Sequence, residues 1–533
     1  PISATEPSLT AATALTNVTA GKNAGDPLAF GDIAQYVLTV PNFGNAIAHD
    51  VNIADTLPPE LALYAGYTPI AQINGVDVAG FVPLPSGAPG GPLVWGAGNN
   101  DLSLDIPPGA TLELTYQVEV IAPADPSVAL SNSVWVDWTS LDELSGYERT
   151  GAGCPNWTAP NDYCFGPASA DGTPVPILPP GALAKANTQD TATIGETFSY
   201  RITVPAAPYP VPIFDARITD NLNGSAADLT YVSVTKVSGS GAWTPVNTGD
   251  TKNLVIEDTA TGIDIAPGEQ VVFDITVRVD DTPVNVAGLT FTNTADYTYN
   301  RLNDAPATVL PGTPYTSQEM TIVEPDLTLE KTGPPQMQLG VPATFTLNLH
   351  NIAGSPAYNT TIYDVLPNQA DGGTCDVAPT NVIAQVFEAD GTTPVSPVLA
   401  EGADFTVAFV GDPDCTVTVN MLTPAGAIGP DQRLLVTYQA ALDTDSQQGA
   451  SLTNVAGATE WFSLDVSDAA NLNYARTYSR TVTDGTVGTL DHEDAHTVAV
   501  FTPVLVFEKY AINVTTGEDP ATVATPGDRI RYG

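Results

Sequence analysis

Apolar and polar residues alternate along most of this chain with a period of two. Ala34-Gln35-Tyr36-Val37-Leu38-Thr39-Val40, Phe198-Ser199-Tyr200-Arg201-Ile202-Thr203-Val204 and Val271-Val272-Phe273-Asp274-Ile275-Thr276-Val277 show the pattern. Successive side chains of a strand point to opposite faces, so such runs predict half-buried strands, and the Gly, Pro, Asn and Asp that bound them predict turns. Helical periodicity is nearly absent. The expected fold class is all-β.

The pattern also repeats on a larger scale. Gly31-Asp32 is followed by Tyr36, by the turn Asn42-Phe43-Gly44-Asn45 and by Val51-Asn52-Ile53-Ala54-Asp55-Thr56-Leu57-Pro58. A second copy runs through Gly195-Glu196, Tyr200 and Ala216-Arg217-Ile218-Thr219-Asp220-Asn221-Leu222. A third has Gly340, Phe345, Asn351-Ile352-Ala353-Gly354 and Thr361-Ile362-Tyr363-Asp364-Val365-Leu366-Pro367. The Gly-to-Asp spacings, Gly31 to Asp55, Gly195 to Asp220 and Gly340 to Asp364, are 24, 25 and 24 residues. Each copy then carries a tight turn, a strand and an Asn. From Gly109 to Asn132, Gly268 to Asn293 and Asp431 to Asn454 the spacings are 23, 25 and 23. A repeat held this closely decides architecture before any single motif does.

Prolines that open a short strand mark the expected boundaries, at Pro7, Pro179, Pro325 and Pro503. They predict module one at 1–178, module two at 179–324, module three at 325–502 and the start of an incomplete module four at 503–533. About seven short strands per module describe a β-sandwich of immunoglobulin type. The modules exceed the roughly 100 residues that such a sandwich needs, which places the surplus in insertions at 141–173, 368–427 and 463–492.

Composition narrows the partners. Of 533 residues, 60 are acidic and 16 basic, a net charge of −44 that repels nucleic acid and anionic membrane surfaces. No apolar run approaches the about 18 residues of a membrane span, so this segment is not expected to insert in a bilayer. With Pro1 in place of an initiator Met and a strand-like end at Arg531-Tyr532-Gly533, the chain reads as an interior piece of something longer.

Four cysteines form two close pairs, Cys154 with Cys164 and Cys375 with Cys415, each inside one expected insertion. Two disulfides and an oxidising compartment are expected, because a long loop with little core gains most from a crosslink. Buried free thiols are the alternative, and the absence of Cys-x-x-Cys argues against zinc. His492-Glu493-Asp494-Ala495-His496 is a literal H-E-x-x-H, but it borders a Thr- and Val-rich strand and not the helix a zinc protease requires. Acidic clusters at 412–414, 443–445 and 491–494 make Ca²⁺ a candidate ligand, although none has calcium-loop spacing and solvated surface charge is the default reading. No cofactor is otherwise expected. Five Asn-x-Ser/Thr sequons (Asn17, Asn156, Asn223, Asn359, Asn513) fit a secreted chain. Ser238-Gly239-Ser240-Gly241 reads as a flexible turn.

Gly-Asp-x-x-x-Tyr, Asn-x-Gly-Asn, Val-x-Ile-x-Asp-x-Leu-Pro and the later Pro-Gly…Asn together resemble the conserved-repeat domain of bacterial and archaeal surface proteins, the family numbered eleven among domains of unknown function. They are similar also to the fimbrial isopeptide-forming domains. Module two lacks the Asn-x-Gly-Asn turn and the Pro of Leu-Pro, and in module three the turn Gly comes one place later. The resemblance implies immunoglobulin-like modules in a secreted or surface-attached protein, and no enzyme.

Lys185, Lys331 and Lys509 each lie six residues after a boundary Pro, on the first strand of a module. In the fimbrial domains such a Lys joins a late-strand Asn beside a carboxylic acid, which implies Lys185–Asp220–Asn293 and Lys331–Asp364–Asn454 as candidate crosslinks. The chemistry needs a neutral amine and a protonated acid, and burial favours both. The competing reading has an exposed Lys, an Asp that shapes the turn before Leu and an Asn that ends a strand. Module one favours the latter, since Thr13 holds the Lys position while Asp55 and Asn132 persist.

The expected function is structural: part of an extracellular fibre, stalk or surface layer whose modules supply length and stiffness. The alternative is an adhesin or glycan-binding protein using Trp135, Trp138, Trp157, Tyr163 and Trp461 in or near the insertions; an exposed aromatic patch would favour it. The expected partners are further modules or other copies of the chain. Continuation of the chain is the expected source of module four's missing strands, with donation from a neighbouring molecule as the other route.

Overall fold

A computed structural model describes the chain except for residues 1–2, 30, 86–91, 97–103, 122–131, 143–145, 152–162, 169–178, 240, 260–261, 301–302, 484–490 and 503–505. The described residues are strand, turn and loop, apart from short 3-10 turns at Leu222–Gly224, Pro306–Thr308 and Pro424–Gly426. They form two compact units. One comprises Pro1–Asp190, Phe198–Arg278 and Phe291–Glu319, and the other Thr191–Thr197, Val279–Thr290 and Met320–Gly533.

The first unit opens with the strand Ala12–Asn17, which pairs with Ile33–Pro41, itself paired with Thr111–Val120. A second sheet runs Cys164–Ala168, Ser133–Thr139, His49–Thr56, Leu93–Trp95. Val51, Ile53, Val134 and Val136 of this sheet share one buried cluster with Leu38, Val40, Leu114 and Tyr116 of the other. Two alternating faces buried against each other make an immunoglobulin-like sandwich. Further along the same unit, one sheet runs Ala184–Asn187, Thr197–Val204, Val271–Val279, Leu229–Ser238. In another, Ile213–Asn221 lies between Asn253–Asp258 and Thr294–Asn300.

In the second unit, Leu327–Thr332, Ala343–Asn351, Arg433–Ala440 and Thr380–Phe387 form one sheet. The other runs Gln336–Gln338, Glu493–Phe501, Ser451–Phe462, Tyr358–Val365, Thr416–Met421, Phe405–Val410. Leu347, Leu349 and Val436 meet Ile362, Ala456 and Val498 in the shared core. Tyr36, Tyr200 and Phe345 all point into cores, as their alternating positions predict.

Residues 368–427 are not an insertion. They supply Thr380–Phe387 to one sheet and Phe405–Val410 with Thr416–Met421 to the other, and Val386, Phe405, Val417 and Met421 are core residues. The Gly-, Asp- and Pro-rich links between these strands hide the pattern in the sequence. The expected insertion at 463–492 is a long excursion whose Arg476 grips other parts of its unit. Its guanidinium donates to Asp281 at 2.7 Å, to both Glu324 oxygens at 3.1 Å and to the carbonyls of Thr282 and Asn285. Of 141–173, the described strand Cys164–Ala168 belongs to a sheet. Ala511–Asn513 pairs with Ile530–Tyr532 as a two-stranded hairpin, with Val506 and Phe507 beside it largely exposed.

Candidate functional site

In each sandwich a polar cluster is buried between the sheets, where the first strand of one sheet lies opposite two adjacent strands of the other. Asp220 and Asn293 lie on the neighbouring strands around Ile213–Asn221 and Thr294–Asn300, and Asp364 and Asn454 lie on Tyr358–Val365 and Ser451–Phe462. Lys185 and Lys331 reach them from the opposite sheet.

Lys185 is fully buried, and its Nζ donates to Asp220 Oδ2 at 2.5 Å. The other oxygen of the same carboxylate accepts from Asn293 Nδ2 at 2.6 Å, so Asp220 bridges amine and amide. The Lys185 ammonium also lies 4.1 Å from the centre of the Tyr200 ring. Lys331 donates to Asp364 Oδ2 at 2.5 Å and to the Tyr438 hydroxyl at 3.1 Å. Tyr438 in turn donates to Asp364 at 2.7 Å and accepts from Asn454 Nδ2 at 2.8 Å. The Lys331 backbone is fixed by its own N–H, which donates to Asp494. Fully buried lysines are rare, and burial holds both ammonium groups below the usual lysine range against the opposing pull of Asp220 and Asp364. Asn293 Oδ1 and Asn454 Oδ1 are buried without a hydrogen-bond partner, an arrangement that costs stability unless it serves something else.

Module one has the same cluster without the amine. Tyr116 donates to Asp55, and Asn132 Nδ2 donates to Asp55 at 3.0 Å and to the Tyr116 hydroxyl at 3.2 Å. Burial pushes the Asp55 carboxyl up to about 6, against the hydrogen bonds from Tyr116 and Asn132. Thr13 pairs with Leu38, as Lys185 pairs with Ile202 and Lys331 with Leu347. Each partner lies two residues beyond the core aromatic, so Thr13 is the true counterpart of the lysines. Tyr36 stacks on Tyr116 at 5.3 Å and Phe345 on Tyr438 at 5.6 Å, with the same 20° between planes. The hydroxyls of Tyr116 and Tyr438 as cluster members escape a reading of spacing alone. One signal does exist in the sequence, since both tyrosines recur seven residues after the turn residues Gly109 and Asp431.

Cys375 and Cys415 form a disulfide, and both belong to the buried core of their sandwich and not to a surface loop. Cys164 is disulfide-bonded, and its expected partner Cys154 lies outside the described residues. The H-E-x-x-H residues flank and enter a strand, as expected. His492 Nε2 faces the Thr481 carbonyl and His496 Nε2 the Pro334 carbonyl, while Glu493 accepts from Thr483. Among the described residues, one group of His and carboxylate ligand atoms lies close enough to share an ion, His49, Asp105 and Asp142, and it includes none of the acidic clusters seen in the sequence. Asn17 and Asn513 of the sequons are buried, with their amides donating within their own turns. Of the candidate contact aromatics, Trp138, Tyr163 and Trp461 are buried, Trp135 is half-buried and Trp157 lies outside the described residues.

The fold and clusters define an all-β protein of immunoglobulin-like sandwiches whose sheets meet through buried Asp–Asn clusters, two of them with a lysine. No protein-family profile and no curated protein matches the chain, so the conserved-repeat resemblance has no support from that side. Among solved structures, it is similar to the C-terminal domain of the AgI/II polypeptide BspA of Streptococcus agalactiae, at 9% identity and a TM-score of 0.27, over 60% of this chain and 99% of that one. It is similar also to the collagen-binding domain of a Staphylococcus aureus adhesin, at 14% identity and a TM-score of 0.19, over 32% of this chain and 97% of that one. A longer piece of the S. aureus collagen adhesin aligns at 12% identity and a TM-score of 0.20, over 60% of this chain and 91% of that one. Likenesses this slight carry no argument about function.

Proposed function

We propose that this chain is a load-bearing part of an extracellular surface protein, and that its second and third sandwiches close themselves with an intramolecular isopeptide bond, Lys185 to Asn293 and Lys331 to Asn454. The observation that carries this reading is that each of two sandwich cores holds one wholly buried lysine beside an Asp and an Asn. A buried ion pair alone is a poor source of stability, since desolvation offsets most of the attraction. A pair that converts to a covalent bond has another reason to be there.

The chemistry needs no cofactor. A proton passes from the Lys ammonium to the Asp carboxylate along the 2.5 Å hydrogen bond, leaving a neutral amine and a neutral acid, the forms a dry core favours. The Asn amide turns about its Cβ–Cγ bond so that its unpartnered Oδ1 accepts from the acid, which polarises Cγ. Lys Nζ attacks Cγ, the Cγ–Nδ2 bond breaks, and Nδ2 leaves as ammonia with a proton from the amine. The product is a secondary amide joining the two sheets across the core. Because the bond runs between sheets, pulling the chain ends apart cannot separate them without breaking a covalent link. Burial removes Trp138, Tyr163 and Trp461 as contact residues for adhesion, while Tyr147, Leu472 and Tyr474 of the same loops are exposed. The disulfides support an oxidising, extracellular location.

Intact mass under denaturing conditions tests the reading. The expected mass is lower than the sequence mass by one ammonia per bond, beyond the hydrogens lost to disulfides, and tryptic digestion should leave Lys185 and Lys331 uncleaved in branched peptides. Full mass with both lysines cleavable would overturn it.

A further inference from the structure

In module three the acid and the amide meet only through a hydroxyl. Asp364 Oδ2 accepts from Lys331 Nζ at 2.5 Å and from Tyr438 at 2.7 Å, while Asp364 Oδ1 is buried without a partner. Asn454 Nδ2 donates to the Tyr438 oxygen at 2.8 Å, and Lys331 Nζ lies 3.1 Å from that same oxygen. One hydroxyl thus contacts the attacking nitrogen, the acid and the amide to be attacked. Module two is connected differently, since Asp220 Oδ1 accepts from Asn293 Nδ2 directly, at 2.6 Å. The difference lies in one side chain. Val120 donates to the Asp32 carbonyl and accepts from Gly31, and Val279 does the same with Glu196 and Gly195, which places Ile275 where module one has Tyr116. Tyr438 holds that position in module three, because Tyr116 pairs with Tyr36 and Tyr438 with Phe345. Ile275 is buried and offers no hydroxyl, and the Tyr200 hydroxyl beside it is buried without a hydrogen-bond partner.

A hydroxyl has one proton to give and can accept at the same time. While Asp364 is a carboxylate, the Tyr438 proton goes to it, because a hydrogen bond to a charged acceptor is the stronger one. The Asn454 amide can then offer the hydroxyl only its N–H. Transfer of the Lys331 proton to Asp364 reverses the chain: the neutral acid donates to the Tyr438 oxygen, and the Tyr438 O–H is released for another acceptor. Turning Asn454 about Cβ–Cγ exchanges Nδ2 and Oδ1, which brings the unpartnered Oδ1 to that hydroxyl. Burial and the Asp364 charge hold the Tyr438 phenol well above its ordinary range, so it enters the step as a donor.

Resting on the isopeptide reading above, we infer that Tyr438 is a catalytic residue of module three: its hydroxyl, standing between acid and amide, polarises the Asn454 carbonyl and stabilises the charge that develops on Oδ1 as Lys331 attacks. The lone pair of the neutral Lys331 Nζ forms the bond to Cγ, and the carbonyl π pair moves onto Oδ1. Oδ1 takes the Tyr438 proton as Tyr438 takes the proton of Asp364, which becomes a carboxylate again. Nζ then yields a proton to Nδ2, the Cγ–Nδ2 bond breaks with its electron pair going to nitrogen, and ammonia leaves. The carbonyl re-forms, and its proton returns through Tyr438 to Asp364. Module two runs the same reaction with Asp220 touching the amide itself, so the two crosslinks of one chain form by different routes.

Cell-free synthesis of the full chain under oxidising conditions, with samples denatured and digested over time, tests this by following each crosslink as its own branched peptide. In wild type both peptides appear. Tyr438→Phe should slow the Lys331–Asn454 peptide by about 100-fold, the usual cost of losing one donor to a developing oxyanion, and leave the Lys185–Asn293 peptide as an unchanged internal clock. Formation of the Cys375–Cys415 disulfide in the variant shows that its sandwich folds. If that disulfide fails to form, a ring-fluorinated tyrosine at position 438, which keeps the hydroxyl and makes it more acidic, decides the matter. A changed rate for the Lys331–Asn454 peptide alone supports the inference, and an unchanged rate overturns it. A folded Tyr438→Phe chain that crosslinks at the wild-type rate would overturn the inference alone, as would a wild type with the Lys185–Asn293 bond and no Lys331–Asn454 bond. A wild type with neither bond would overturn the isopeptide reading and this inference with it.

Discussion

Module one and module three build the same Asp–Tyr–Asn cluster on the same scaffold and differ at two side chains beside it, Thr13 against Lys331 and Tyr36 against Phe345. Asp55, Tyr116 and Asn132 hold one another as Asp364, Tyr438 and Asn454 do, under the same 20° aromatic stack, yet Thr13 stands where Lys331 stands. The Asp–Tyr–Asn network is therefore a feature of the fold that exists without an amine. Its electrostatics depend on that amine. Without a cation beside it, burial dominates and the Asp55 carboxyl rises to about 6. The lysine is the variable part, and on the proposed reading its presence is what would turn a structural tie into a crosslinking site.

The largest effect expected from breaking this comparison is in module three. Lys331→Ala removes the proposed bond, which closes a loop of roughly 120 residues, and should cost about 5 kcal/mol by loop-closure entropy. Denaturant unfolding of wild type and variant, with the mass change as control, measures it. Cys375→Ser opens a disulfide with a sequence separation of 40 and should cost about 4 kcal/mol in the same sandwich, read by the same unfolding curve. If both losses appear, module three carries two independent covalent ties through its core.

Module one should respond to pH. The folded-state value for Asp55 of about 6 lies above the ordinary 3.8, so the folded state holds this proton more tightly than the unfolded chain. Its contribution is present below pH 4, is lost as the pH rises through 6, and amounts to about 3 kcal/mol. Asp55→Asn should flatten this part of the pH profile, measured as the difference between wild-type and variant melting curves between pH 4 and 7. The smallest effect belongs to Thr13→Ala. At a half-buried position on an edge strand it should change stability by no more than about 0.5 kcal/mol, in contrast to Lys331→Ala. A large loss on Thr13→Ala would mean that Thr13 supports the cluster and is not merely the vacancy of a lysine.

Much of the fold is legible in the order of the residues. The period-two runs around Tyr36, Tyr200 and Phe345 are strands with those rings in the cores, while Lys185, Asp220 and Asn293, a set that the resemblance to the fimbrial domains implied and no spacing did, meet between the sheets. Residues 368–427 mislead because their strands are separated by links rich in Gly, Asp and Pro, so local pattern gives no sign that Val386 and Val417 share a core. The tyrosine hydroxyls escape notice for a related reason: spacing marks a residue's face on its strand, but not the partner that its terminal atom meets across the sandwich.

By itself the amino-acid order determined what is local and periodic: strand character, turn positions, the repeat, and which side chain of each strand faces inward. Those follow from backbone geometry and from the alternation of side chains along a strand. Only the tertiary structure decided which polar atoms meet between the sheets, that Lys331 reaches both Asp364 and Tyr438, that Trp461 is buried, and that His492 and His496 turn to separate carbonyls. Those contacts join residues far apart in the chain, and their geometry is set by how two sheets pack, which no short stretch of sequence encodes.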